Sequence, residues 1–304
     1  EIIGDIKSIP YKMFYGCTSL KKFVIPLSIT SINDYAFAEC SSLEKISIPS
    51  SVTSIDNFAF FGCSSLKQIS ISSSNIKFGE KVFEGVETLE IIGGIKSIQY
   101  KMFYGCTSLR KIIIPPSITS INDYAFAECT SLEQISILSQ TLKFGQNVFD
   151  GVSKLEIKGN IKTIPNKMFY RCKSLTQITI PSSVTLINNN AFLECSSLIQ
   201  VLIPTSVNII EHSAFSGCTL LEQITFETPS RLKSIQSNTF YMCTTLSQIK
   251  IPSSVTLIGD SAFSKCSSLK KIIIPSSVIS IRKGTFSGCT FLTKITIPSS
   301  VTEI

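Results

Sequence analysis

Histidine is almost missing from this chain: among its 304 residues His212 is the only one, so a Ser–His or Cys–His nucleophile pair could be assembled there and nowhere else. It sits in Glu211-His212-Ser213, a turn position held by Asp34-Tyr35 and Asn57-Phe58 elsewhere, where a surface side chain is expected. Charge is also scarce, at 16% of residues, and a balance of +7 gives only a weak bias toward acidic partners. The carboxylates fall at matching positions, such as Glu39 and Glu128 or Glu44, Glu133 and Glu222, which fits a repeated surface position better than an acid–base pair. There is no Arg-rich cluster with interleaved exposed aromatics, which argues against nucleic acid. No run approaches the ~18 apolar residues of a membrane span. No Cys-x-x-Cys pair offers zinc ligands, and no glycine-rich loop followed by Lys-Ser/Thr offers a phosphate cradle. The expectation is therefore no catalytic residue, no metal, no cofactor, no nucleic-acid partner and no membrane insertion within this stretch.

What is present is repetition. A Phe recurs at 14, 37, 60, 83, 103, 126, 149, 169, 192, 215, 240, 263 and 286, in steps of 23 interrupted twice by 20 and once by 25, and Leu follows each by six positions. Self-similarity at such a period marks a solenoid, whose units bury their apolar faces by stacking on one another. Within one unit, Ile46 and Ile48 alternate with Lys45 and Ser47, which is strand spacing. Pro49 removes a backbone donor and ends the ladder, and Ser50-Ser51 make a turn. Val52 and Ile55 follow as a short extended segment, and Asp56-Asn57 open what reads as a tight helical turn carrying Ala59, Phe60 and Cys63 inward. Strands stacked from successive units are parallel, about 4.8 Å apart.

The motif Leu-x-x-Ile-x-Ile-Pro-Ser-Ser-Val-Thr-Ser-Ile-x-x-x-Ala-Phe-x-x-Cys resembles the 23-residue repeat of BspA-like leucine-rich-repeat proteins, over the whole chain. The resemblance implies a curved leucine-rich-repeat solenoid of about 13 repeats. A parallel β-sheet lines its concave face, with short extended segments and 3-10 or helical turns on the convex side. It also implies bacterial and protist surface relatives, several of them adhesins for host matrix proteins, and it supplies no catalytic residues. Val86 and Val152 depart from the motif where Cys is expected, and Pro is missing after Ile71 and Ile137.

A solenoid of this length is expected to be one continuous domain over 1–304. Residues 1–48 and 90–137 match at 40 of 48 positions, which indicates a block duplication. Its variant units carry Lys77-Phe78-Gly79 and Lys143-Phe144-Gly145, each followed by a shortened unit from Leu89 or Leu155. There three residues read as lost at the Pro-Ser-Ser turn, with Gly93-Gly94 making one of the tight bends. Two extra residues in Phe226-Glu-Thr-Pro-Ser-Arg-Leu should bulge from a turn. With no initiator Met, no signal-peptide pattern and no polar cap at either end, the chain reads as a segment of a longer protein.

The eleven cysteines share one position of the repeat and should form an inward ladder of reduced thiols. Parallel in-register side chains hold their Cβ atoms beyond the ~3.5–4.5 Å that a disulfide needs. What remains for function is the outward sheet face, whose candidate binding residues are Lys22, Lys45, Lys111, Ile113, Gln134, Gln177, Gln200, Gln223, Gln248 and Lys271. Two functions follow. One is a non-enzymatic adhesion or protein-binding module at a cell surface or secreted, with a host or matrix protein as ligand. The alternative is a cytoplasmic or structural scaffold assembling with other proteins or like copies. The comparison set is the convex turn position of Tyr35, Asn57, Tyr124 and His212.

Overall fold

The computed structural model describes residues 6–73, 75–92, 95–139 and 142–304; Gly93-Gly94 and the first five residues of the opening partial unit lie outside them. The chain divides into two compact units, 1–152 and 153–304. Both are parallel β-solenoids in which each coil supplies one strand to a long ladder and a two-residue strand to a second ladder.

In the first unit the long ladder stacks Lys22–Val24, Lys45–Ile48, Gln68–Ile71, Thr88–Ile92, Lys111–Ile114 and Gln134–Ile137 in chain order. In the second it stacks Lys154–Lys158, Gln177–Thr179, Gln200–Ile203 and Gln223–Phe226, and then, as a separate sheet, Gln248–Lys250, Lys271–Ile273 and Lys294–Thr296. Between regular coils the register follows the period, with Lys45 opposite Gln68 and Gln177 opposite Gln200, while at the first shortened coil Gln68 stands opposite Glu90. Where the repeat has Pro, the ladder stops. Where it has Ser72, Leu138 or Glu227 instead, that residue's N–H donates to the coil before it, at 2.9, 3.1 and 2.9 Å, and the ladder gains one bond.

The eight inward positions of a coil are those the motif marks. Leu43, Ile46, Ile48, Val52, Ile55, Ala59, Phe60 and Cys63 are each at most 2% exposed. Burying aliphatic and aromatic side chains of this size contributes about 1.5–3 kcal/mol each. The phenylalanines form a stack along each unit: Phe37–Phe60 centroids are 5.2 Å apart at 5°, and Phe192–Phe215 are 4.9 Å apart at 3°. Between Phe83 and Phe103, where the period drops to 20, the rings tilt to 40°.

Two sequence expectations need correction. The first is the helical turn: the described residues contain no helix. Tyr35 and Glu39 have φ of 56° and 60°, and the same pair of left-handed residues, four apart, recurs as Asn190 and Glu194 and as Ser261 and Lys265. A right-handed helix cannot run through these positions. Instead Ala36, Ala38 and Cys40 close i to i+3 turns onto Asn33, Tyr35 and Phe37, while the N–H groups of Tyr35, Phe37 and Glu39 point along the solenoid to the carbonyls of Asn57, Ala59 and Phe61. The turn side is thus a third intercoil hydrogen-bond ladder. Asn57 and Asp123 extend it, their Oδ1 atoms accepting from the N–H groups of Glu80 and Gln146 in the next coil at 2.8 and 2.7 Å.

The second correction concerns the shortened coils. Leu89 stands opposite Ile112 and Leu155 opposite Ile178, inside the strand and not ahead of it. The missing residues therefore come out of the turn that follows the cysteine position, so the strands begin two residues after Val86 and Val152. In the second of these coils Lys158-Gly159-Asn160 replaces Pro-Ser-Ser residue for residue, and Gly159 takes φ of 115°, where a side chain would be strained.

Candidate protein-binding surface

All ten candidate residues lie in strands of the long ladders, at positions alternating with buried residues or, beside Lys22, with half-buried Phe23. Lys22, Lys45, Lys111, Gln177, Gln200, Gln223, Gln248 and Lys271 are exposed, while Ile113 and Gln134 are half-buried. The register sets Lys22 beside Lys45, and Lys111 beside Gln134, in the first unit. In the second unit it sets Gln177, Gln200 and Gln223 in one row and Gln248 beside Lys271 in another. Two residues further along their strands, Val24 is 83% exposed, Leu202 50% and Ile273 60%. Large aliphatic side chains left this open on a sheet contribute nothing to the core.

The sequence reading missed outward residues of the two shortened coils. Thr88, Glu90, Lys154 and Glu156 alternate with buried Leu89, Ile91, Leu155 and Ile157. That alternation was the available signal, obscured by assigning Leu89 and Leu155 to the position ahead of the strand. Glu90 accepts from Gln68 Nε2 at 2.8 Å, and Glu156 pairs with Lys158, so the face carries local negative charge among its lysines.

The face is also not flat. In the second unit a depression of about 1050 Å³ opens over Gln223, Gln248, Lys250, Lys271 and Ile273, with Thr228 to Ser230 of the two-residue insertion along its edge. The expected bulge thus borders the sheet face. A smaller depression of about 450 Å³ adjoins it over Gln177, Gln200, Leu202 and Glu227, and Gln223 and Thr225 line both.

The thiols offer no chemistry to this surface. Burial pushes the Cys106 thiol up to about 12 and Cys40 up to about 11, and holds Cys129, Cys195 and Cys243 well above the ordinary range. Nine of the eleven cysteines are buried and Cys289 is half-buried, while Cys17, in the first coil, is exposed, unlike the inward ladder expected of it. His212 is exposed on the turn side. Among the described residues no group of three or more His, Cys, Asp or Glu could hold a metal ion, and no helix is long and apolar enough to cross a membrane.

No curated protein matches the sequence. Among solved structures, a leucine-rich-repeat protein from Eubacterium ventriosum is 24% identical, covering 91% of this chain and 81% of that one with a TM-score of 0.51, which shows the fold. A leucine-rich cell surface protein from Faecalibacterium prausnitzii is 27% identical, over 88% of this chain and 82% of that one, with a TM-score of 0.42. The leucine-rich-repeat protein of T. pallidum is 22% identical, over 82% and 87%, with a TM-score of 0.29. The family model for the BspA-type leucine-rich-repeat region matches residues 1–94, 85–199, 151–230 and 225–304, and so spans the sequence. The chain belongs to the BspA-type leucine-rich-repeat family.

Proposed function

We propose that this chain is a non-enzymatic protein-binding module that presents its sheet face to a protein ligand at a cell surface. The observation that carries the proposal is the outward row itself. Lys22, Lys45, Lys111 and Lys271 are exposed and do no work in the core, and Val24, Leu202 and Ile273 stand open beside such residues. Within each unit the strands hold these groups at fixed spacing, so a partner meets a pre-ordered surface there and little ordering entropy opposes binding. A place at a cell surface is part of the proposal; a similar solved protein is described as a leucine-rich cell surface protein.

The test is retention on a panel of immobilised matrix proteins. The triple variant K22E/K45E/K111E is compared with variants at the turn position, Tyr35→Ser, Asn57→Ser and His212→Ala. Loss of retention with the sheet-face variant alone supports the proposal. Loss with the turn-position variants alone contradicts it and favours a scaffold that assembles through its turn side.

A further inference from the structure

The insertion in the second unit breaks the ladder at a defined place. Gln223–Phe226 is the last strand of its sheet and Gln248–Lys250 the first of the next, and the short ladder also restarts, at Ser234–Ile235. The depression of about 1050 Å³ lies over this seam. Its lining has one sign of charge: Lys250 and Lys271 contribute exposed ammonium groups, and no carboxylate lines it, Glu227 belonging to the neighbouring depression. Beside the lysines, Ile273, Pro229, Pro252 and Pro275 provide apolar surface, and the amides of Gln223 and Gln248 supply both donors and acceptors.

Three occupants can be weighed against this lining. A second copy of the chain would bring a like net charge of +7 against a cationic groove, which opposes encounter. Single-stranded nucleic acid needs exposed aromatic rings for base stacking, and the one aromatic residue of the lining, Phe226, is buried at 9% exposure. An extended peptide with alternating acidic and apolar side chains satisfies each feature. Its carboxylates meet Lys250 and Lys271, its apolar side chains cover Ile273 and the prolines, and its backbone amides meet the glutamines.

We propose that the groove between the insertion and the strands Gln223–Phe226, Gln248–Lys250 and Lys271–Ile273 binds an extended acidic and apolar peptide segment of a partner protein. This rests on the sheet face being the recognition surface and adds the chemical class of the partner. The insertion confines the site to this unit, because no other coil carries Thr-Pro-Ser beside the face.

The experiment is fluorescence anisotropy on the full chain with three short labelled peptides, alternating Asp–Leu, Lys–Leu and Asp–Ser. Saturable binding of Asp–Leu alone is expected, weakened about tenfold or more by K250E/K271E and reduced by Ile273→Ser. Lys265→Glu, exposed on the turn side of the same unit, should leave it unchanged. All these positions are exposed, and unchanged melting temperatures establish that the variants fold. No saturable Asp–Leu binding, equal binding of Lys–Leu or Asp–Ser, or equal weakening by Lys265→Glu each overturns the assignment. If matrix-protein retention still depends on Lys22, Lys45 and Lys111, the sheet-face reading stands and the acidic-peptide assignment alone falls.

Discussion

The thiol of Cys218 donates to the carbonyl oxygen of Phe192, one coil back, at 3.2 Å. The same bond joins Cys63 to Phe37 at 3.2 Å, Cys129 to Phe103 at 3.0 Å and Cys266 to Phe240 at 3.1 Å. The Phe192 carbonyl already accepts the N–H of Cys195 in its own turn, so the sulfur supplies a second, weaker donor to an oxygen with two lone pairs. Cysteine is thus both small core filler and intercoil staple, and Val86 and Val152 show that the filling is the larger part. Cys218→Val should cost under about 1.5 kcal/mol, as near-isosteric core changes do. Cys218→Asp, a charge in the same fully buried site, should prevent cooperative folding or lower its midpoint severely. Urea titration of both variants checks this, and equal midpoints would contradict it.

Thiol accessibility should follow position in the solenoid. Cys17 should react with a thiol reagent in the native protein and Cys289, half-buried, more slowly. The fully buried cysteines should react only after denaturation. Mass spectrometry after timed labelling reads this directly, and rapid modification of Cys106, Cys195 or Cys218 would contradict it.

The buried thiols also give stability an alkaline limit. Burial raises Cys106 from its ordinary 9.0 to about 12. The folded chain therefore keeps this proton over a range in which the unfolded chain has lost it. Stability from this group is complete below about pH 9 and is lost as pH rises toward 12. Melting temperature measured across that window should fall. Cys106→Val should fall less steeply, and an identical slope in the variant would contradict the linkage.

Core and face should separate in stability. Phe60→Ala or Phe126→Ala, each removing a ring stacked on both sides, should cost about 3–5 kcal/mol. Ser47→Ala and Gln200→Ala, both exposed, should cost under about 0.5 kcal/mol. Chemical denaturation with a shared m-value is the measurement, and similar shifts from both sets would overturn the inward assignment.

Gly79 is fixed by its neighbour rather than by its own backbone angles. A Cβ there would lie 2.6 Å from the backbone N of Asn57 in the preceding coil, and at Gly145 the corresponding distance to Asp123 N is 2.5 Å. Gly79→Ala should destabilise by about 1–3 kcal/mol or displace the turn, as overpacked sites do. Gly16→Ala, with nothing within 4 Å, should cost only its strained φ of 69°. A Gly79→Ala variant as stable as the parent chain would contradict the close packing of these coils.

The strands were legible in the sequence because Ile46 and Ile48 alternate with Lys45 and Ser47, and a parallel solenoid leaves that alternation one arrangement. The outward candidates followed from it. The turn side was harder to read, because glycine or asparagine holds the left-handed positions in only some coils, as Gly62 and Asn190 do, while Tyr35, Glu39, Phe58 and Lys265 hold the same positions in others, where the backbone bonds to the adjacent coil. The shortened coils misled for a different reason. The spacing of six from Phe to Leu holds in every coil, yet in these two the Leu moves from the turn into the strand. The depression beside the insertion depends on where two added residues settle, which local pattern does not specify.

The most direct test of the sheet face as the recognition surface is amine labelling of the chain, free and bound to a retained matrix protein, read lysine by lysine. Lys22, Lys45, Lys111 and Lys271 should lose reactivity on binding, while Lys12 and Lys265, exposed on the turn side against Tyr15 and Tyr241, should keep theirs. Protection of Lys12 and Lys265 with the four strand lysines unchanged would contradict it.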